Sequence, residues 1–207
     1  MTQLLIVVGM VREARIVGGQ ARVAIGRAGL NASLGEPPAA ILSFGLCGGL
    51  DPALVVGDLV LGDGDDAWIT ALAAALPAKR TRFASGDEII ATRTAKAALR
   101  ARTGAGAADM ESHLAAAAAA RLGVPFAVLR AVSDAADDDL PVAAQAGFSP
   151  DGRTNIAAVL AALARRPGEF PALIRTARNA GKALAALEAA WPTVSTVSAP
   201  FATGGSR

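Results

Sequence analysis

Short runs of branched aliphatic residues, bounded by glycine or charge, alternate along the chain with longer alanine-rich stretches. This is the pattern of strands interleaved with helices. The apolar runs predict strands at residues 4–10, 22–26, 40–44, 58–61, 81–84 and 125–132. Helical spacing and cap residues predict helices at 68–76, at 92–102 with Thr92 as its cap, and at 111–122, 154–164 and 171–190. The fold class is therefore α/β. The strand at 125–132 is apolar on both alternating sets apart from Arg130, which predicts a central strand covered on both faces. The alanine run at 115–120 favours a helix that lies close on a sheet. Residues 1–190 read as a single domain, and WPTVSTVSAPFATGGSR, 191–207, lacks periodicity and reads as a flexible tail.

Composition narrows the function classes. The chain has 207 residues, 53% of them hydrophobic, enough to bury a sizeable core. Lysine and arginine number 20 against 18 acids, without a basic run, and aromatics are only 4%, so a nucleic-acid partner is not expected. One cysteine, Cys47, excludes an internal disulfide, and one histidine, His113, argues against histidine-based metal or triad chemistry. No apolar run reaches the ~18 residues of a membrane helix, and the default expectation is a cytoplasmic protein.

Candidate chemistry gathers where the predicted strands end, the usual ligand edge of an open α/β sheet. The first strand runs into Gly9-Met10 and Glu13, and the third into FGLCGGLDP, 44–52, read as a glycine turn. Another strand leads into SGDE, 85–88, and the last into SDAADDD, 133–139. Singly each has a structural explanation, since Gly48-Gly49 and Asp87 suit turns and Glu111 suits the positive end of a helix. Asp134, just past a buried strand, should be desolvated and its pKa raised, as a general acid requires.

In this order the motifs resemble the purine nucleoside phosphorylase and nucleosidase superfamily, especially its methylthioadenosine/adenosylhomocysteine nucleosidase branch. GMVREAR, FGLCGGL, VVGDLVL, ASGDEII, ADMES and LRAVSDAAD carry the likeness from about residue 5 to 137. The resemblance implies a three-layer α/β/α sandwich with a mixed central sheet, and cleavage of a purine N-glycosidic bond without a metal or cofactor. It implies Asp134 as the general acid toward N7 of the base, Glu111 with Met110 on the ribose, and Glu13 beside Met10 on the attacking water. It implies Cys47, Gly48, Ile89, Ile90 and Ser133 around the base, with Ile89 where an aromatic usually stacks.

Two departures bear on the substrate. Ser43 and Leu46 stand where phosphorylases of the family place phosphate-gripping residues, which favours water as nucleophile and leaves inorganic phosphate as the alternative, with Arg12, Arg15 or Arg27 to hold it. The stretch between VGDLVL and SGDE is short, which implies an open 5′ side. GMVREARI, SFGLCGGLDPAL and residues 149–177 further resemble the hopanoid-associated phosphorylase group, which implies a 5′-substituted adenosine such as adenosylhopane. Methylthioadenosine or adenosylhomocysteine is the alternative substrate, and a non-catalytic nucleoside-binding protein a further alternative. The resemblance also implies a homo-oligomer, taken as a dimer, and Arg165-Arg166 offers a weak contact for an anionic membrane surface.

Overall fold

The computed structural model describes residues 4–149 and 151–203. Its spine is β3 (Ala40–Gly49), a strand of 10 residues with different neighbours along its two halves. The first half lies between β1 (Leu4–Val8) and β8 (Phe126–Asp134), both parallel to it, with Val7 opposite Ser43 and Val128 opposite Ser43 from the other side. The second half keeps β8 on one side and gains the short antiparallel β7 (Ala107–Asp109) on the other. The sheet continues outward through β2 (Arg22–Ile25) beyond β1, and through β4 (Leu59–Leu61) and β5 (Ala78–Arg80) beyond β8. β6 (Phe83–Ser85) pairs with β7. Antiparallel pairings of β3 with β7 and β4 with β8 make the sheet mixed.

Strand alternation explains the layers, because successive side chains point to opposite faces. Leu4, Ile6 and Val8 join Phe44, Trp68, Leu129 and Trp191 in one core, while Leu5, Val7 and Ile41 join Leu30 and the alanines Ala115, Ala118 and Ala119 in the other. The first face is covered by α1 (Val11–Val17), α3 (Asp66–Ala75) and α8 (Phe170–Ser198), and the second by α2 (Gly26–Ser33) and α5 (Ser112–Leu122). The alanine-rich face of α5 therefore does pack on the sheet. α4 (Arg93–Thr103) begins at the expected cap, where the Thr92 side chain accepts a hydrogen bond from Ala95 N. Two small helices, α6 (Val142–Gln145) and α7 (Ile156–Arg165), precede α8.

Two local expectations are corrected. FGLCGGL is not a turn: β3 runs through Gly45, Gly48 and Gly49, held by β8 and β7, and leaves the sheet only at Leu50. The segment expected to fray from Trp191 continues α8 to Ser198 and a 3-10 turn to Thr203, while the last four residues lie outside the described chain. Pro192 removes one helical N–H, but Trp191 and Val194 beside it are buried. Trp191 meets Phe44 edge-on at 5.3 Å, Phe201 stacks on Trp68 at 5.0 Å, and Trp68 Nε1 donates to Ser198 Oγ at 3.1 Å. Trp191→Ala should thus destabilise the whole domain by about 3–5 kcal/mol, the cost of truncating a buried aromatic, as measured by urea denaturation.

Candidate active site

The C-terminal ends of β1, β3 and β8 converge, and each brings a carboxylate or the backbone that holds one. Glu13 sits at the third position of α1, from which its Oε2 reaches back to accept from Gly9 N and Met10 N, both at 2.8 Å. This is the carboxylate half of a capping box. Its Oε1 accepts from Leu46 N on β3 at 2.7 Å. A carboxylate offers about four lone-pair sites, so one acceptor position remains on Oε1. Burial at 2% exposure pushes the Glu13 carboxyl up to about 7, with the Arg130 charge opposing the rise and the Glu111 charge adding to it.

Glu111 caps α5, and its Oε2 accepts from Arg130 Nη1 at 3.1 Å, while Oε1 has no hydrogen bond among the described residues. Arg130 itself is fully buried in β8. Its Nη2 lies 2.6 Å from Asp109 Oδ2 and donates to Ser43 Oγ at 2.6 Å, and its Nη1 also donates to the Leu46 carbonyl at 3.2 Å. Asp109 is held in turn by Ser112, whose N and Oγ donate to Oδ2 at 2.9 and 2.6 Å.

The close approach of these acids to backbone explains two glycines. A Cβ on Gly9 would lie 2.5 Å from Glu111 Oε1, and one on Gly45 would lie 2.5 Å from Glu13 Oε1. Gly45 also has φ of +150, a conformation side chains disfavour. Gly45 is therefore held to glycine by its backbone as well, whereas a side chain at Gly9 would displace the Glu111 carboxylate.

Asp134 ends β8 opposite Gly48, where the pairing carries a bulge between Cys47 and Gly48. Its Oδ2 accepts from Lys96 Nζ at 2.5 Å, and its Oδ1 from Ser133 Oγ at 2.7 Å. The ammonium spends its other protons on the carbonyls of Ala135, at 2.7 Å, and Asp138, at 3.1 Å. Lys96 is the one buried residue of α4, at 1% exposure.

Residues 63–165 match a family model described as the Phosphorylase superfamily. The structure is similar to a futalosine hydrolase mutant of Helicobacter pylori strain 26695, with a TM-score of 0.61 and 17% identity over 78% of this chain and 98% of that one. It is equally similar to the 5′-methylthioadenosine/S-adenosyl homocysteine nucleosidase of Campylobacter jejuni, with a TM-score of 0.61 and 17% identity over 91% of this chain and 100% of that one. The S-adenosylhomocysteine nucleosidase of Streptococcus pyogenes, solved with 5-methylthiotubericidin, gives a TM-score of 0.60 and 16% identity over 79% and 97%. No curated protein is a significant match in sequence. The fold is that of the phosphorylase superfamily.

On this superfamily fold the residues singled out in the sequence do not all face the same space. Glu13, Met10, Glu111 and Met110 lie at the ends of β1 and the start of α5, and Asp134 and Ser133 at the end of β8. Cys47 is 3% exposed and packs with Leu54, Val60, Ala107 and Val132, so the strand presents its carbonyl, 3.1 Å from Ser133 Oγ, rather than its thiol. Burial pushes that thiol well above its usual pKa. Ile90 packs against the small cluster of Leu50, Ala105 and Ala108, and Ile89 is half-buried beside it.

The arginines considered for an anion are elsewhere or engaged. Arg12 and Arg15 border a small cavity with Leu184 and Glu188 on α8, and Arg27 pairs with Asp87 at 2.8 Å on the surface. Ser43 is fully buried and its hydroxyl is taken by Arg130 and by Ser112 Oγ, 3.0 Å away.

Sequence reading missed Asp109, the role of Arg130, and Lys96. Arg130 had a signal, a lone charge in a strand apolar on both faces. Lys96 had none, because α4 is otherwise a polar surface helix. The expectation that a desolvated Asp134 serves as general acid omitted this lysine, whose charge is paired with the carboxylate. Lys96→Met should leave a buried carboxylate unpaired and cost about 3–5 kcal/mol in chemical denaturation. The double variant with Asp134→Asn should recover most of the loss.

Proposed function

We propose that the protein is an enzyme that hydrolyses the N-glycosidic bond of an adenine nucleoside. The observation that carries this reading is the set of three carboxylates, Glu13, Glu111 and Asp134, held at adjoining strand ends in three different electrostatic environments. The nucleosidases and hydrolase with similar folds support it.

In the proposed reaction Glu13 accepts a proton from water at the remaining position on Oε1, and the water oxygen bonds to the anomeric carbon. The C–N bond breaks with its electron pair moving to the base, while a proton passes from Lys96 Nζ to the Asp134 carboxylate and from Asp134 to N7, leaving Lys96 neutral until the proton taken by Glu13 is returned through solvent. The Lys96 ammonium against Oδ2 is a proton source behind Asp134. Glu111 uses Oε1 for the sugar hydroxyls, while its Oε2 stays on Arg130. Developing positive charge on the sugar is favoured by the surrounding acids, the logic of glycoside cleavage by carboxylate pairs.

Water is favoured over phosphate because the cations nearest these acids are already consumed. Arg130 is spent on Asp109 and Glu111, and Lys96 on Asp134. The finer reading is a 5′-substituted adenosine such as adenosylhopane, supported by the likeness of GMVREARI, SFGLCGGLDPAL and residues 149–177 to the hopanoid-associated group and by the short segment before SGDE. Methylthioadenosine and adenosylhomocysteine are the competing substrates.

Purified protein incubated with each nucleoside should release adenine at the same rate with and without phosphate, followed by chromatography. Release that requires phosphate would overturn hydrolysis, and preference for methylthioadenosine over adenosylhopane would overturn the finer reading. Asp134→Asn should lower kcat by about 10²–10⁴-fold, the range for general acid catalysis, while sparing KM.

A further inference from the structure

Seven large hydrophobic residues are exposed among the described residues, and six of them fall between residues 142 and 174: Val142, Phe148, Ile156, Leu160, Phe170 and Ile174. They lie on α6, in the loop after it, on α7 and on the first turns of α8, and α6 packs against both α7 and α8. Ile156 and Leu160 are four apart and share a face of α7, as Phe170 and Ile174 do on α8. A monomeric soluble surface scatters such residues, and their concentration in one segment marks an interaction face.

The charge in the same segment identifies its partner. Residues 142–178 hold five arginines, Arg153, Arg165, Arg166, Arg175 and Arg178, against only Asp151 and Glu169. Glu169 is engaged by Ala143 N at 3.0 Å and by Arg166 at 3.5 Å, while Arg165 and Arg178 are exposed and have no ion pair among the described residues. A second copy docking this patch by two-fold symmetry would bring the same excess of positive charge against it. Exposed apolar side chains in a segment of net positive charge, with Arg165 and Arg178 unpaired, instead suit the boundary between acyl chains and anionic headgroups. No helix among the described residues is long and apolar enough to cross a membrane, so such contact is superficial.

The face adjoins the carboxylates. Gly152, in the loop between α6 and α7, accepts from Val11 N at 2.9 Å through its carbonyl, next to the Gly9 and Met10 amides that hold Glu13. We propose that residues 142–149 and 151–178 form a docking surface for an anionic lipid bilayer, placing the rim of the site at the membrane surface. This inference stands on the surface itself and not on the proposed reaction.

The test is co-sedimentation of the full chain with phosphatidylcholine vesicles, with and without phosphatidylglycerol. The protein should pellet with the anionic vesicles and much less with the neutral ones. Arg165→Gln with Arg178→Gln should weaken binding by about fivefold per arginine removed. Ile156→Ser with Leu160→Ser should bring it to the neutral-vesicle level. Failure to bind anionic vesicles, or binding indifferent to both pairs of substitutions, would overturn the proposal. So would a stable dimer in sedimentation velocity that Ile156→Ser with Leu160→Ser converts to monomer.

Discussion

A guanidinium buried at the centre of the sheet is the constraint from which the rest of the site follows. Arg130 is fully buried on β8, and removing its charge from water is expensive unless acids of the same region repay it. Asp109 and Glu111 do so from β7 and the start of α5, and the Leu46 carbonyl and Ser43 hydroxyl from β3. The short β7 must therefore lie against the far end of β3. That placement puts the cap of α5 over the end of β1, where Gly9 leaves room for Glu111.

The same arrangement separates the three carboxylates chemically. Glu111 shares the charge of Arg130 and Asp134 that of Lys96, whereas Glu13 has no ion pair among the described residues and rests on three backbone N–H groups. Burial then dominates at Glu13 and pushes it up to about 7, while Arg130 limits the rise. A carboxyl that titrates near neutrality beside two ion-paired acids is a difference set by environment, since all three are ordinary side chains.

Much of the frame was legible because its signals are local. The run PFAVLRAV shows a strand apolar on both faces, and the cap Thr92 and the alanines of α5 act through nearest neighbours on the chain. What was not legible depends on residues distant in sequence. β7 is only Ala107–Asp109, an alanine-rich triplet that becomes a strand because β3 and β6 flank it. The glycines of FGLCGGL resemble a turn until the carboxylates that crowd them are in place. Pro192 reads as a helix stop, yet burial of Trp191 and Val194 carries α8 past it. Of the site, Glu13, Glu111 and Asp134 were visible as acids at strand ends, but Lys96 and the burial of the Cys47 thiol were not.

The central claim, that burial makes Glu13 a base poised near neutrality, is tested most directly by the pH dependence of adenine release. The active form of Glu13 is the carboxylate, so kcat/KM should rise with pH along a limb of unit slope centred near 7 and level off above it. A profile flat from pH 5 to 8, with its only acid limb near the ordinary carboxylate range, would contradict the account.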